Sequence, residues 1–382
     1  MAQATAFGGG RPMTGWSPVY NGSSLMSLFR PAVDALHAYA PGEQPARSAG
    51  IVKLNTNENP YPPSPAAMAA LREIDDDQLR RYPHPHADEF RLAVADVLGL
   101  DIARIVVGNG SDDILTMLMR AVSDKERAVA YPVPTYVLYR TLAEIQDAQV
   151  HEIPYGESFA LPIEALAATR AALTLVANPN SPSGTLTPIE ALSDLAGRVT
   201  GVLVIDEAYT EFATENALEL TTRFDHVMVL RTLSKSHSLA GLRLGFGIGS
   251  PNLVTGLTKV KDSYNVDAVA CQVGAAALRD ARYTAEIVGR VCATRGRLVA
   301  LFAGLGFAVW PSAANFLLVR PPRGDAGTLY RYLKTAGILC RYFDTPGLSD
   351  KLRVTVGTES DTDRLEEALR SFCQEGEGDR QA

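Results

Sequence analysis

The chain of 382 residues has four cysteines (Cys271, Cys292, Cys340 and Cys373), widely spaced and in no C-x-x-C pair. That leaves no disulfide framework and no zinc-ligand spacing, and it suits a reducing compartment. No apolar stretch reaches the ~18 residues that cross a bilayer, and Met1–Pro12 lacks the apolar centre of a signal peptide. Lys and Arg (36 together) are outnumbered by Asp and Glu (43), a net charge of −7, so no basic stripe remains to neutralise nucleic-acid phosphates. No G-x-G-x-x-G follows the first strand pattern, which argues against a nicotinamide-binding domain. The first 25 residues are too short and too neutral for the DNA-binding segment of a regulator, and no repeat of fixed period occurs. A soluble cytoplasmic protein without a metal site is expected.

Lysine is also scarce: seven against 29 arginines. One of the seven, Lys235, sits among serines and glycines in Thr232–Gly245, between two apolar runs, with no carboxylate near it in sequence. A lysine that reacts with a carbonyl must first lose a proton held with an ordinary pKa of ~10.4, which needs a special surrounding. The remaining motifs decide whether Lys235 has one.

Hydrophobic content of 46% and charged content of 21% are those of an ordinary globular protein. Residues 1–50 read as an N-terminal arm broken by Gly8–Gly10, Pro12 and Pro18, with at most one short helix in Leu28–Tyr39. Leu54–Pro65 is a proline-rich loop, followed by helices over about Pro65–Glu73 and Ala87–Leu98. Short apolar strands then alternate mostly with helical patterns: Arg104–Val107, Ala128–Tyr131, Leu173–Ala177, Val202–Ile205, Val227–Leu230 and Leu244–Ile248. Near-continuous apolarity predicts a mostly parallel sheet sandwiched by helices. Ser111 opens one helix, and Thr187-Pro188-Ile189-Glu190 predicts a capping box with Pro at the first helical position. One long helical region covers Leu253–Leu305; strands near Phe307–Trp310, Phe316–Val319, Ile338–Tyr342 and Leu352–Val356 then alternate with helices. The expected organisation is an arm (1–50), a large α/β domain (51–285) and a smaller α+β domain (286–382).

In such a sheet a ligand is expected outside the carboxyl ends of the strands. Gly108-Asn109-Gly110-Ser111-Asp112-Asp113 is a glycine turn opening a helix, an N–H-rich terminus suited to an anion. Pro132–Tyr136 places an aromatic ring at the sheet mouth, and Asn178–Gly184 adds amides and hydroxyls. Asp206 ends a wholly apolar strand and requires a partner. Ser234, Lys235 and Arg243 complete the set. An anion site, a ring to stack on, a carboxylate to keep a ring nitrogen protonated and a lysine for an aldehyde are together what pyridoxal 5′-phosphate requires.

At these residues the chain resembles the fold-type I (class I/II) pyridoxal-phosphate-dependent aminotransferases, most of all the histidinol-phosphate aminotransferases, over roughly residues 28–375. The resemblance rests on LNTNENPYPPSP (54–65), NGSDD (109–113), YPVPTY (131–136), NPNSPSG (178–184), DEAY (206–209), TLSKSHSLAGLRLG (232–245) and LRVTVGT (352–358). It implies that Lys235 binds the cofactor aldehyde and moves the substrate Cα proton, that Asp206 pairs with the ring nitrogen, and that Tyr209 bonds the phenolic oxygen. It further implies a phosphate held at the Gly110 turn by the backbone amides of Ser111 and Asp112 with Ser234 and Arg243, a ring stacked on Tyr136, and a homodimer in which Tyr61 reaches the phosphate of the neighbouring subunit's cofactor. Arg353 would clamp a substrate carboxylate, with Arg341 and Tyr39 at a substrate phosphate. The family usually has Asn directly before Pro-(Thr/Ser)-Gly; Ser181 stands there, so the amide contact to cofactor and substrate falls to Asn180. The implied reaction is transamination of L-histidinol phosphate with 2-oxoglutarate, in histidine biosynthesis. Alternatives on the same scaffold are an aromatic-amino-acid aminotransferase and a threonine-phosphate decarboxylase.

Overall fold

The computed structural model describes residues 27–36, 42–46, 50–322 and 325–378. Tyr39 lies outside them, as does most of the expected arm. The strands in chain order are β1 (Val52–Lys53), β2 (Ile105–Asn109), β3 (Val129–Val133), β4 (Val150–Pro154), β5 (Leu173–Ala177), β6 (Val202–Asp206), β7 (Val227–Thr232), β8 (Leu244–Ile248), β9 (Ala308–Val309), β10 (Phe316–Arg320), β11 (Ile338–Leu339), β12 (Arg341–Tyr342) and β13 (Leu352–Thr355).

Seven of these form one sheet in the order β2-β8-β7-β6-β5-β3-β4. All pairings are parallel except those of β8, antiparallel to both β2 and β7. Neighbouring residues of the central strands bury into opposite layers. Leu175, Val204 and Met228 join Ile114, Leu115 and Leu118 of the helix Ser111–Val122, while Val176, Ile205 and Val229 join Leu192 and Leu195 of the helix Ile189–Arg198. Both faces of the sheet are thus covered, which is why its strands are continuously apolar. The reversal of β8 has a direct consequence. Its amino end lies at the edge where the parallel strands have their carboxyl ends, so Arg243, just before β8, arrives beside the turn after β2.

The second unit is a four-stranded antiparallel sheet, β12-β13-β10-β9, with the helices Ala281–Gly304, Ala326–Thr335 and Glu359–Gly378. The expected boundary at 285/286 falls inside the continuous helix Ala281–Gly304. Residues 51–54, expected in the large domain, join the smaller unit: β1 pairs in parallel with β11, and Val52 and Leu54 bury among Ile338, Leu352 and Val356.

Other expectations are corrected. The single helical region over Leu253–Leu305 is three helices, Pro251–Thr258, Ala268–Arg279 and Ala281–Gly304, the second started by Asp267 and the third by Asp280 as caps. Strand β4 was not expected, because Val150-His151-Glu152-Ile153-Pro154 is a half-exposed edge without a continuous apolar run. Thr187 forms no capping box. The Asn178 amide brackets its backbone, accepting Thr187 N–H at 2.7 Å and donating to Thr187 O at 3.1 Å, and Pro188 takes the cap position.

Candidate active site

At the carboxyl edge of the large sheet lies a cavity of about 190 Å³. Ser111, Asp112, Tyr136, Asp206, Tyr209, Ser234, Lys235 and Arg243, all singled out by sequence, line it, together with Ser181, at the place of the family's usual amide, and Thr56, Glu58 and Thr232, which were not singled out.

The anion end is built from the turn after β2. Gly110 holds φ +82°, and a Cβ there would come within 2.6 Å of Arg243 Nη2, so only glycine admits the guanidinium. Ser111 begins the helix, and the carboxylates of the two acidic residues behind it are engaged by neighbouring groups. Asp113 accepts from Asn109 N–H (2.9 Å) and Asn265 Nδ2 (2.8 Å). Asp112 accepts from Arg243 Nη2 (3.1 Å) and the Tyr136 hydroxyl (3.2 Å). Arg243, itself in the left-handed region at φ +53°, therefore stands across the helix start with Ser234 nearby.

At the opposite end Asp206 is buried at the tip of β6, accepting from the Tyr139 hydroxyl (2.9 Å) and Ala208 N–H (3.2 Å). Burial pushes its carboxyl up to about 6, against the lowering effect of the Tyr139 bond. A cationic N–H facing it would relieve that burial. Tyr139, fully buried, is a residue sequence reasoning passed over; it lies three positions after Tyr136 on the same turn, and their rings meet edge-on at 5.7 Å. Behind Asp206, Glu207 is buried in an ion pair with Arg231 (2.9 Å), anchoring the ends of β6 and β7.

Between these ends stand Lys235, with Nζ 5.7 Å from the centre of the Tyr209 ring, and Tyr209, whose hydroxyl accepts from Asn57 Nδ2 (2.9 Å). Asn59 donates to the carbonyls of Lys235 (3.0 Å) and Ser236 (3.2 Å), holding the lysine loop from outside. Glu58 is ion-paired with Lys53 at 2.6 Å and also bonds Thr56, and it faces Lys235 closely enough that both lysines help hold its carboxyl below the usual range against the opposing effect of burial.

Of the predicted site residues described, Gly110, Asn180, Tyr61, Arg341 and Arg353 are not among those lining the cavity. Asn180 is buried within its own loop, donating to Pro134 O (3.3 Å) and Ser183 Oγ (2.9 Å) and accepting from Thr135 Oγ1 (2.9 Å); Ser181 faces the cavity in its place. Tyr61 is nearly buried, its ring covered by the Arg290 guanidinium at 3.9 Å. Arg341 is register partner of Arg353 across β12 and β13, with Phe343 5.4 and 5.6 Å from their guanidinium carbons. Arg353 reaches the rim itself, donating to Ser181 Oγ (3.2 Å) and Asn55 O (2.9 Å). The two guanidinium groups thus stand on directly opposed residues of adjacent strands.

The donor set fits pyridoxal phosphate: serine, guanidinium and helix start at one end, a buried carboxylate at the other, an amine and a phenol between. Among the described residues no cluster of His, Cys, Asp and Glu could hold a metal ion, and no helix is long and apolar enough to cross a membrane.

Fold and site together define a two-unit α/β protein built for cofactor-assisted amino-group chemistry. Residues 49–372 match the model of aminotransferase class I and II, and the chain belongs to that family. It is 53% identical to histidinol-phosphate aminotransferase 1 of Nostoc over 92% of this chain and 99% of the relative. It is 42% identical to histidinol-phosphate aminotransferase of Rhodopirellula baltica over 90% and 96%. The crystal structure of histidinol-phosphate aminotransferase from Sinorhizobium meliloti in complex with pyridoxal-5′-phosphate superposes with a TM-score of 0.82 at 26% identity, covering 91% of this chain and 99% of that one.

Proposed function

We propose that the protein transfers the amino group of L-histidinol phosphate to 2-oxoglutarate, giving imidazole acetol phosphate and glutamate, with pyridoxal 5′-phosphate bound at Lys235. The observation that carries the reading is a single cavity with Lys235 between a buried acid, Asp206, and an anion cradle of Ser111, Ser234 and Arg243. The relatives named for this reaction, above 50% identity over nine-tenths of the chain, support the substrate. A structure of L-threonine-O-3-phosphate decarboxylase from Porphyromonas gingivalis, at 22% identity, shares the fold alone.

When bound, the cofactor supplies an aldehyde to take up the amino group and an electron-withdrawing ring. With the cofactor bound, Lys235 Nζ would hold it through that aldehyde and would be the group placed to carry the proton leaving the substrate Cα. The Asp206 carboxylate, steadied by the Tyr139 hydroxyl, keeps a proton on the ring nitrogen. Tyr209 would donate to the phenolic oxygen and Tyr136 would cover the ring, while the Gly110 turn, the backbone amides of Ser111 and Asp112, Ser234 and Arg243 would hold the phosphate. Ser181, which lines the cavity, would be the side chain of this loop available to the phenolic oxygen, while Asn180 shapes the loop. Histidinol phosphate bears no carboxylate, so Arg353 serves the 2-oxoglutarate half-reaction and Arg341, with Tyr39, the substrate phosphate. The working unit is a cytoplasmic homodimer in histidine biosynthesis, with Tyr61 completing the neighbouring site and the two domains joined through the helix Ala281–Gly304.

The test is a panel of amino donors (histidinol phosphate, phenylalanine, tyrosine and threonine phosphate) scored for keto product and CO₂. Highest kcat/KM for histidinol phosphate without CO₂ is expected. Preference for phenylalanine, or release of CO₂ from threonine phosphate, would overturn the assignment.

A further inference from the structure

Asn57 is buried and holds φ +57°, and its peptide and side chain are gripped by three residues distant in sequence. Its N–H donates to Thr355 Oγ1 (3.1 Å) at the end of β13, and its carbonyl accepts from Asn315 Nδ2 (3.0 Å) just before β10. Its Oδ1 accepts the Thr355 hydroxyl proton (3.0 Å), and its Nδ2 donates to the Tyr209 hydroxyl oxygen (2.9 Å). Tyr209 is gripped from the same side, because Phe316 of β10 meets its ring edge-on at 5.0 Å.

The bonding has a direction. Thr355 accepts from the Asn57 backbone and has a single proton to give, which goes to Oδ1. With Oδ1 turned to Thr355, the amide presents Nδ2 to Tyr209, and the phenol oxygen accepts there. Its own proton is then turned away from Asn57, towards the cavity that Tyr209 lines.

We propose that Asn57 is a positioning residue: set by Thr355 and Asn315 of the smaller unit, it makes the Tyr209 hydroxyl a donor into the active site. This deepens the function proposed above and rests on its assignment of Tyr209 to the cofactor's phenolic oxygen. The smaller unit thereby determines the polarity of a group in the larger one, through one amide. Phe316 and Asn315 move with the same strand, so displacing that unit would loosen both grips on Tyr209 together.

The discriminating variant is Asn57→Asp, because Asp tolerates the left-handed backbone as Asn does and keeps the shape while replacing a donor by an acceptor. The carboxylate would take the phenol proton and withdraw it from the cavity. Four cofactor-loaded proteins are compared: wild type, N57D, Y209F and N57D/Y209F. The readouts are the pH midpoint of the bound cofactor's visible absorption, and kcat and KM for the amino donor. N57D should move the midpoint upward, in the same direction as Y209F, and lower kcat by about ten-fold with KM little changed, the worth of one hydrogen bond. In the Y209F background N57D should add nothing to either readout. Thr355→Val, which removes the hydroxyl that orients the amide, should shift the midpoint the same way by less. An unmoved midpoint in N57D while Y209F moves it would overturn the role of Asn57 alone, as would a full N57D effect on kcat in the double variant. An unmoved midpoint in Y209F would overturn the underlying role of Tyr209 as well.

Discussion

Asp206 shows how one residue's surroundings encode its partner. Its folded pKa of about 6 stands above the ordinary 3.8 because burial disfavours the charge. In cofactor-free protein a raised carboxyl contributes stability that is fully present below pH 3.8 and is lost as pH rises through about 6. Asp206→Asn removes that dependence. The stability difference between wild type and D206N, followed by urea unfolding of the cofactor-free proteins from pH 4 to 7.5, should therefore shift against wild type by on the order of 3 kcal/mol. With pyridoxal phosphate bound the shift should shrink, since a protonated ring nitrogen favours the ionised carboxylate. A flat difference across that range in the cofactor-free proteins would mean that Asp206 is not buried as drawn.

At the scale of elements, the turn after β2 makes the sharpest prediction. Gly110→Ala puts a methyl group against Arg243 Nη2 and forces a left-handed φ on a residue that resists it, a strain of about 1–2 kcal/mol. Arg243 must swing away, so pyridoxal phosphate affinity, titrated by absorbance, should fall by about ten-fold or more. Gly256→Ala is the contrast: it lies in the helix Pro251–Thr258 with nothing within 4 Å of its added Cβ, and should leave affinity unchanged while stabilising the fold by about 0.5–1 kcal/mol. The same elements show what was legible in the sequence. Central strands are apolar on both faces, so Leu173–Ala177 and Leu244–Ile248 were readable to the residue. The polar residues that follow those strands are the ones a sheet presents at its edge, and this is why Lys235, Asp206 and Ser111 could be grouped before any geometry was known. The edge strand β4 and the failed cap at Thr187 were not legible: the first has no continuous apolar run, and the second lost its role to an amide nine residues away. Nor were Thr56 and Glu58, which only the pairing of β1 with β11 and the packing of the following loop bring to the cavity. Asn180 matched a motif by proximity, yet its neighbour Ser181 turns inward, a distinction set by the loop's internal bonds.

For the whole molecule, the substrate roles proposed for Arg341 and Arg353 would tie substrate choice to the smaller unit. Arg341→Ala should raise KM for phosphorylated donors by about ten-fold or more while leaving phenylalanine nearly unaffected, since one charge-assisted contact is lost for the phosphate only. An equal rise for phenylalanine would place Arg341 outside substrate recognition. The dimer can be tested with equal rigour. Tyr61 lies under the Arg290 guanidinium and is not among the residues lining its own cavity, and its proposed service is to a neighbouring subunit. In that arrangement a Lys235→Ala subunit still lends an intact Tyr61, and a Tyr61→Ala subunit still carries an intact Lys235. Unfolding and refolding an equimolar mixture of the two inactive variants should give hybrid dimers as half of the population, each with one complete site. Recovered activity should therefore approach about a quarter of the wild-type value. If Tyr61 instead served its own subunit, every site in the hybrid would carry a defect and mixing would recover nothing.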